Sequence, residues 1–217
     1  VMTRAQQVMK AVTYERYGSP DVVQVTEVAR PYPKLDEVLI RVHASAVHTS
    51  DWRLRAAAFQ GITALPARMS FGLFRPRITR LGREFAGGVE AVGPEVKTFE
   101  PGQRIFGISS SGGASAEYLT VSETTAVTEI PDHLSFEEAA ALPFGGLAAV
   151  VFLEQFAGLK ARHRILIVGA SGGVGSYAVQ IAKALGSHVT GLSGPESQAL
   201  VGSFGADITL NYATTKL

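Results

Sequence analysis

The sequence contains no cysteine, which excludes disulfides and thiolate-ligated metal centres and fits a cytoplasmic protein. Long apolar runs are also missing, and charged residues interrupt every stretch that might otherwise span a bilayer. Val1 to Lys10 lacks the apolar segment that a secretory signal requires. Charge of either sign is scarce in excess: 20 Lys and Arg against 19 Asp and Glu leave +1, which argues against nucleic acid as a partner. There is no internal repeat and no low-complexity tract. What remains is 217 residues at 46% apolar content, enough to bury one large core or two modest ones.

The most informative stretch runs from Arg164 to Tyr177. Ile165 to Val168 are apolar without alternation, as expected of a parallel strand covered on both faces. From Val174 the period changes. Val174, Ala178, Ile181 and Leu185 share one helical face, and Gly186 stands where a C-cap glycine would. Between strand and helix the chain reads Ala170-Ser171-Gly172-Gly173-Val174-Gly175, close to Gly-x-Gly-x-x-Gly but with Ala in the first place. Such a turn offers unpaired amides at a helix N-terminus to an anion, and lets a pyrophosphate approach the backbone. A second strand, His188 to Leu192, and a third, Ile208 to Leu210, follow, with a helical stretch from Pro195 to Phe204 between them. The combination predicts a dinucleotide site at Ala170, Ser171, Gly172, Gly173, Val174 and Gly175.

An NAD site places a carboxylate on the ribose 2′-OH roughly 20 residues beyond the glycines. Here that position reads Gly191-Leu192-Ser193-Gly194, with no acid, and Ser193 can donate to a 2′-phosphate. The expected cofactor is therefore NADPH in preference to NADH, although no Lys or Arg lies between Lys183 and Lys216.

Upstream, β signals dominate: Val8 to Tyr14, Val22 to Val28, Glu37 to Val47, Phe85 to Val92, Arg104 to Ile108 and Ala116 to Val121. Turn residues such as Gly18-Ser19-Pro20 and Pro101-Gly102 separate them, as in a small barrel. Ser135-Phe-Glu-Glu138 is a capping box, Pro143 interrupts the helix it opens, and a second helix runs from about Gly145 to Ala157. The β–α alternation beyond Arg164 predicts a doubly wound sheet. Three regions follow: a tail over 1–8, a barrel domain over 9–130 and a nucleotide domain over 131–217.

Taken together, Met9-Lys-Ala-Val12, Gly18-Ser-Pro-Asp-Val22, Glu37-Val-Leu-Ile40, Leu81-Gly-Arg-Glu-Phe-Ala-Gly87, Phe99-Glu-Pro-Gly102, Ala116-Glu-Tyr118, Glu138-Ala-Ala-Ala-Leu-Pro143 and Gly169 to Gly175 resemble the zinc-independent medium-chain dehydrogenase/reductases, in the quinone oxidoreductase and enoyl reductase branch. The resemblance implies an α/β chain: a GroES-like β-barrel domain followed by a Rossmann domain, with NADPH lying between them. It implies hydride transfer to a quinone or an α,β-unsaturated carbonyl. It also implies pairing as a homodimer, and it places Tyr212 near the adenosine 2′-phosphate.

Zinc-dependent relatives carry Cys where His48 stands and His where Arg83 stands, with a further ligand near 143 to 146. Pro143-Phe-Gly-Gly146 offers none, and Arg83 would oppose a cation beside His48, Asp51 and Glu84, so no metal is expected. Without a Lewis acid to stabilise an alkoxide, reduction of an electron-poor π system is favoured over alcohol oxidation. His48, which the resemblance puts in the cleft, is the candidate proton or hydrogen-bond donor. Asp51 orients neighbouring groups or pairs with Arg83 or Arg53. A zinc-free alcohol or aldehyde dehydrogenase, or a non-catalytic nucleotide-binding protein, are the alternatives.

Two features stand apart. From Trp52 to Arg83 there are seven arginines and no acidic residue, with Phe59, Phe71 and Phe74 interleaved. This stretch, 53–83, reads either as a solvated loop or as a surface for anionic substrates or an anionic membrane. The nucleotide domain has three strand signals where a doubly wound sheet has six, so it is expected to be incomplete, with the Ile165–Val168 strand left at an open edge.

Overall fold

A computed structural model describes residues 7–59 and 61–215; of the tail expected over 1–8, residues 1–6 lie outside the described residues. The chain forms two compact units, Val1–Ala141 and Leu142–Leu217. No helix among the described residues is long and apolar enough to cross a membrane.

In the first unit, β1 (Val8–Thr13) and β2 (Gln24–Ala29) form an antiparallel pair in register from Val8↔Ala29 to Thr13↔Gln24. A five-stranded antiparallel sheet has the order β6-β3-β4-β5-β7, built from β3 (Glu37–Ser45), β4 (Glu84–Val92), β5 (Arg104–Ile108), β6 (Tyr118–Ser122) and β7 (Val127–Glu129). Isolated bridges Ala11↔Ala116 and Thr13↔Arg80 tie β1 to the chain flanking the larger sheet. Alternation in β5 and β6 sends Ile105, Leu119 and Val121 inward, where they meet Val38, Ile40 and Phe85 in the core. Bulges at Leu39/Ile40 and Val42/Ala44 bend β3 against β4. The loop from β3 to β4 holds two short helices, α1 (Thr49–Ala56) and α2 (Ala64–Phe71), so the arginine-rich stretch is not one solvated loop.

The capping box forms as expected. Ser135 N donates to Glu138 Oε2 at 2.9 Å and Glu138 N to Ser135 Oγ at 3.1 Å. The helix it opens, α3 (Phe136–Ala141), buries Ala139 and Ala140 against Ala86 and Ile130, which is why the first unit extends past residue 130 to Ala141.

The second unit begins with α4 (Pro143–Val150), which continues as a π-helical turn, Val151–Phe156. Its parallel sheet has the order β10-β9-β8, from β8 (Arg164–Val168), β9 (His188–Ser193) and β10 (Ile208–Asn211). The connecting helices are α5 (Gly175–Ala184) and α6 (Gln198–Ser203). Ala178, Val179 and Ala182 of α5 close over Ile167 and Val189, with Val201 of α6 beside them. α5 ends in a Schellman motif: Gly186 N donates to Lys183 O at 2.9 Å and Ser187 N to Ala182 O at 3.0 Å.

One expectation is corrected here. β8 is not covered on both faces: Ile167 is buried, whereas Leu166 is 44% and Val168 67% exposed. Among the described residues the helix cluster packs on the Ile165 and Ile167 side, and pleating turns the alternate residues away from it. Among the described residues β8 pairs with β9 alone, the open edge that the strand signals predict.

Candidate functional site

The strand-to-helix turn of the second unit is built by backbone. Gly169 has φ +73°, a conformation that only glycine adopts without strain, and its amide and that of Ala170 both donate to Leu192 O, at 2.9 and 3.0 Å. Gly172 N donates to Gly169 O at 2.9 Å, closing the bend. Gly175 opens α5 so close beneath it that a Cβ there would lie 2.1 Å from Gly169 O. By contrast, a Cβ on Gly173 would meet nothing within 4 Å, so this side of the turn is open. Gly172 and Gly173 are exposed in the turn, Val174 is the N-cap of α5 and Gly175 its first residue, where helix amides have no intrahelical acceptor. An exposed run of early helix amides with the helix dipole behind it is suited to an anion.

Ala170 requires correction as a cofactor residue. Its side chain is fully buried in the core and its amide is already committed to Leu192 O, so it serves the turn from beneath. The tight-turn role that the pattern assigns to this place belongs to Gly169.

At the end of β9 the expected donor Ser193 is also buried, at 2% exposure, and its hydroxyl accepts from Gln198 Nε2 at 2.8 Å. Gln198, which sequence reasoning missed, sits at the start of α6, and its Nε2 also lies 3.0 Å from Leu210 O. It links the ends of β9 and β10. Nothing in the residue pattern marks it, because its role depends on the parallel pairing of the two strands. Tyr212 is 63% exposed just beyond β10, with its amide donating to Ser193 O at 3.2 Å.

In the first unit, His48 is the N-cap of α1. Ser50 N donates to His48 Nδ1 at 3.2 Å, and His48 N donates to Asp51 Oδ2 at 2.8 Å, a reciprocal box in which imidazole takes the place of the usual hydroxyl. With Nδ1 an acceptor, the neutral ring carries its proton on Nε2. Asp51 is buried, at 6% exposure, and its other oxygen accepts from Gly82 N at 3.1 Å. The carboxylate therefore fixes the α1 entry against the chain leading into β4. It orients, and it makes no ion pair with Arg83 or Arg53 among the described residues.

Arg83 donates from Nη2 to Ser110 O at 3.0 Å and lines a cavity of about 10 Å³ with Asp51, Gly82 and Tyr14, too small for an organic substrate. Tyr14, also missed, is nearly fully buried there. Burial first, then the Tyr17 and Asp51 charges, push its phenol up to about 12. Its place at the end of β1 reads in sequence as one more strand aromatic. His48, Asp51 and Glu84 do not converge on a metal position: among the described residues no group of three or more His, Asp or Glu is arranged to hold one. The first unit thus holds an imidazole fixed through Nδ1, and the second an exposed glycine turn ahead of a helix N-terminus.

Residues 34–132 match the alcohol dehydrogenase GroES-like domain. A chloroplastic quinone oxidoreductase homolog of Spinacia oleracea is 37% identical over 97% of this chain and 63% of its own length. Among solved structures, the quinone oxidoreductase of Coxiella burnetii superposes with a TM-score of 0.84 at 29% identity, covering 97% of this chain and 64% of that one. The Escherichia coli quinone oxidoreductase, solved in complex with NADPH, gives 0.81 at 26% identity, over 95% of this chain and 60% of that one. The chain thus spans less than two thirds of the length of these relatives. With an alcohol dehydrogenase-type GroES-like domain matched over 34–132, a parallel sheet in its second unit and this likeness along nearly all its length, the chain is similar to the medium-chain dehydrogenase/reductases of the quinone oxidoreductase and enoyl reductase branch.

Proposed function

We propose that this chain binds NADPH at the glycine turn and serves the zinc-free reduction of a quinone or an α,β-unsaturated carbonyl. The observation that carries the reading is the open backbone at Gly173, in a bend braced from below by Gly169 and Gly175. Ser171 and Gly173 to Gly175 would hold the pyrophosphate through main-chain N–H groups, which need no cationic side chain, while the Gly172 amide closes the bend onto Gly169 O. Tyr212 is the exposed group available to a 2′-phosphate, and no carboxylate within 191–194 opposes one. Ser193 and Gln198 act from beneath, fixing the strand ends that shape the adenosine side.

When bound, NADPH supplies the reducing equivalent. The chain's own part is to orient and to donate. His48, its Nδ1 held by Ser50, presents Nε2–H as a donor to a substrate oxygen, and Asp51 keeps that ring in place through the amide of residue 48. Arg83, which shares a small cavity with Asp51 and donates to Ser110 O, adds positive charge to the surroundings of that donor. The chain is read as cytoplasmic and as pairing into a homodimer, which sedimentation equilibrium tests directly.

Titration calorimetry with NADPH and NADH tests the nucleotide, and NADPH consumption with a panel of quinones and enones tests the reaction. Binding of NADPH tighter than NADH, with turnover of at least one acceptor class, is the expected result. Heat with neither nucleotide removes the reading. Binding without turnover leaves only a nucleotide-binding protein.

A further inference from the structure

We propose that the segment from Gly61 to Arg77 is a docking surface for an anionic lipid bilayer. Its inner side is anchored. Phe71 stacks on Phe59 at 5.8 Å, the Arg68 guanidinium lies 5.0 Å over the Tyr17 ring, and Tyr17 Oη donates to the last carbonyls of α2, Phe71 O at 3.0 Å and Gly72 O at 2.7 Å. These contacts decide which face of α2 points outward. That side carries large apolar groups: Leu65 is 65% and Met69 62% exposed one turn apart on α2, and Ile62, in the 3-10 turn Gly61–Thr63 that leads into it, is 94% exposed. Past the helix, Leu73 is 45% and Phe74 86% exposed. An outward stripe of large apolar side chains on a helix already held from behind is inverted relative to an ordinary surface helix.

The charges around the stripe select the partner. No acidic residue occurs between Trp52 and Arg83. Arg77 N donates to Phe71 O at 2.8 Å and its Nη1 to Ser70 O at 3.2 Å, folding the loop after α2 back along the helix's last turn. Arg75 and Arg77, both exposed, therefore lie beside the apolar stripe. Glu15 and Asp21 line the cavity that Arg75 borders, and Asp21 accepts from Ser19. Arg55 and Arg83 donate to Gly18 O and Ser110 O and Arg68 stacks on Tyr17, whereas Arg75 and Arg77 are exposed, so the docking charge rests on these two, Arg77 with one donor on Ser70 O. Apolar side chains that enter the acyl boundary, flanked by cations at headgroup level, define an interfacial helix. A protein partner would need acidic groups matched to two particular arginines. An anionic bilayer needs only surface charge, and it accepts the apolar stripe without shape complementarity. The surface also suits the proposed chemistry, because the more apolar quinones partition into bilayers, but docking is read without any nucleotide or acceptor.

The test is co-sedimentation of the whole chain with phosphatidylcholine vesicles, with and without about a quarter phosphatidylserine, at low and high salt. Binding only to the anionic vesicles and release by salt are expected. Arg75→Glu with Arg77→Glu should reduce partitioning about tenfold or more, and Ile62→Ser with Phe74→Ser should reduce it comparably in low salt. Both pairs lie on the surface, so thermal unfolding should be unchanged, which separates lost docking from lost folding. Absence of binding to anionic vesicles overturns the proposal. So does binding that neither pair of substitutions alters. If Ile62→Ser with Phe74→Ser instead dissolves a self-association seen by light scattering, the stripe is a contact between copies and the membrane assignment falls.

Discussion

Replacing Gly175 by alanine sets two effects against each other. At the first position of α5 alanine is the better helix former, worth up to about 1 kcal/mol. The added methyl, however, would stand 2.1 Å from Gly169 O and 2.9 Å from Ala170 Cα, both rigid backbone. Relief requires the bend to open by about 1 Å, since ordinary contacts begin near 3.4 Å. That movement strains the Gly172 N–H to Gly169 O bond and the paired bonds from residues 169 and 170 to Leu192 O. Loss of one or two of these at about 1 kcal/mol each, together with overpacking of 1–3 kcal/mol, outweighs the propensity gain. Gly175→Ala should therefore destabilise the chain by roughly 1–4 kcal/mol in urea unfolding and weaken NADPH binding in calorimetry. Gly173→Ala is the control. Its methyl meets no protein atom within 4 Å, so stability should hold while NADPH binding falls, because the methyl occupies the side from which a pyrophosphate approaches. A Gly175→Ala protein more stable than the parent, or a Gly173→Ala protein equally destabilised, would refute the account of the turn.

His48→Ala should cost about 1 kcal/mol by removing the α1 cap, whereas His48→Asn should keep most of that stability because Asn caps well, and urea midpoints separate the two. Asp51→Asn leaves one carbonyl oxygen to serve two backbone donors, His48 N and Gly82 N, and should destabilise by about 1–3 kcal/mol in the same assay. The raised phenol of Tyr14 means that the folded state keeps its proton longer than the unfolded chain does. Stability should therefore fall as pH rises from 10.0 through about 12, and Tyr14→Phe should flatten that limb of the pH–stability curve. Asp207 is held below the usual carboxylate range by hydrogen bonds from Lys183 Nζ and then Val189 N. Its contribution is present above the ordinary carboxylate pKa and is lost as pH falls, so Asp207→Asn should lessen acid sensitivity. Tyr212→Phe should raise the NADPH dissociation constant more than the NADH one in parallel titrations.

The parts of the fold legible in sequence are those fixed by local rules. The Ser135 to Glu138 box, the Gly186 stop and the change of period at Val174 each involve residues within a few positions of one another, and the structure has all three. The six strands of the first unit read correctly to within about two residues. Only β7 escaped, a three-residue strand whose existence depends on β5 lying beside it. The misjudged positions are those decided by which face another element covers. Four apolar residues in β8 cannot say on which side the helices pack, and the alternation in exposure appears only once α5 is in place.

The site divides along the same line. A glycine pattern announces a turn because it constrains the backbone directly, yet it cannot distinguish a residue that faces a ligand from one that braces the bend. Ala170 and Ser193 fit the pattern by position and are both buried, while Gly169, one place outside it, takes the positive φ on which the turn depends. His48 shows the opposite case. Family position suggests a donor, and the capping bond to Nδ1 assigns the proton to the other nitrogen, so that a local structural duty sets the tautomer the proposed role needs. A role for His48 as an Nε2–H donor thus rests on the stability of α1, and the two should weaken together when Asp51 is changed.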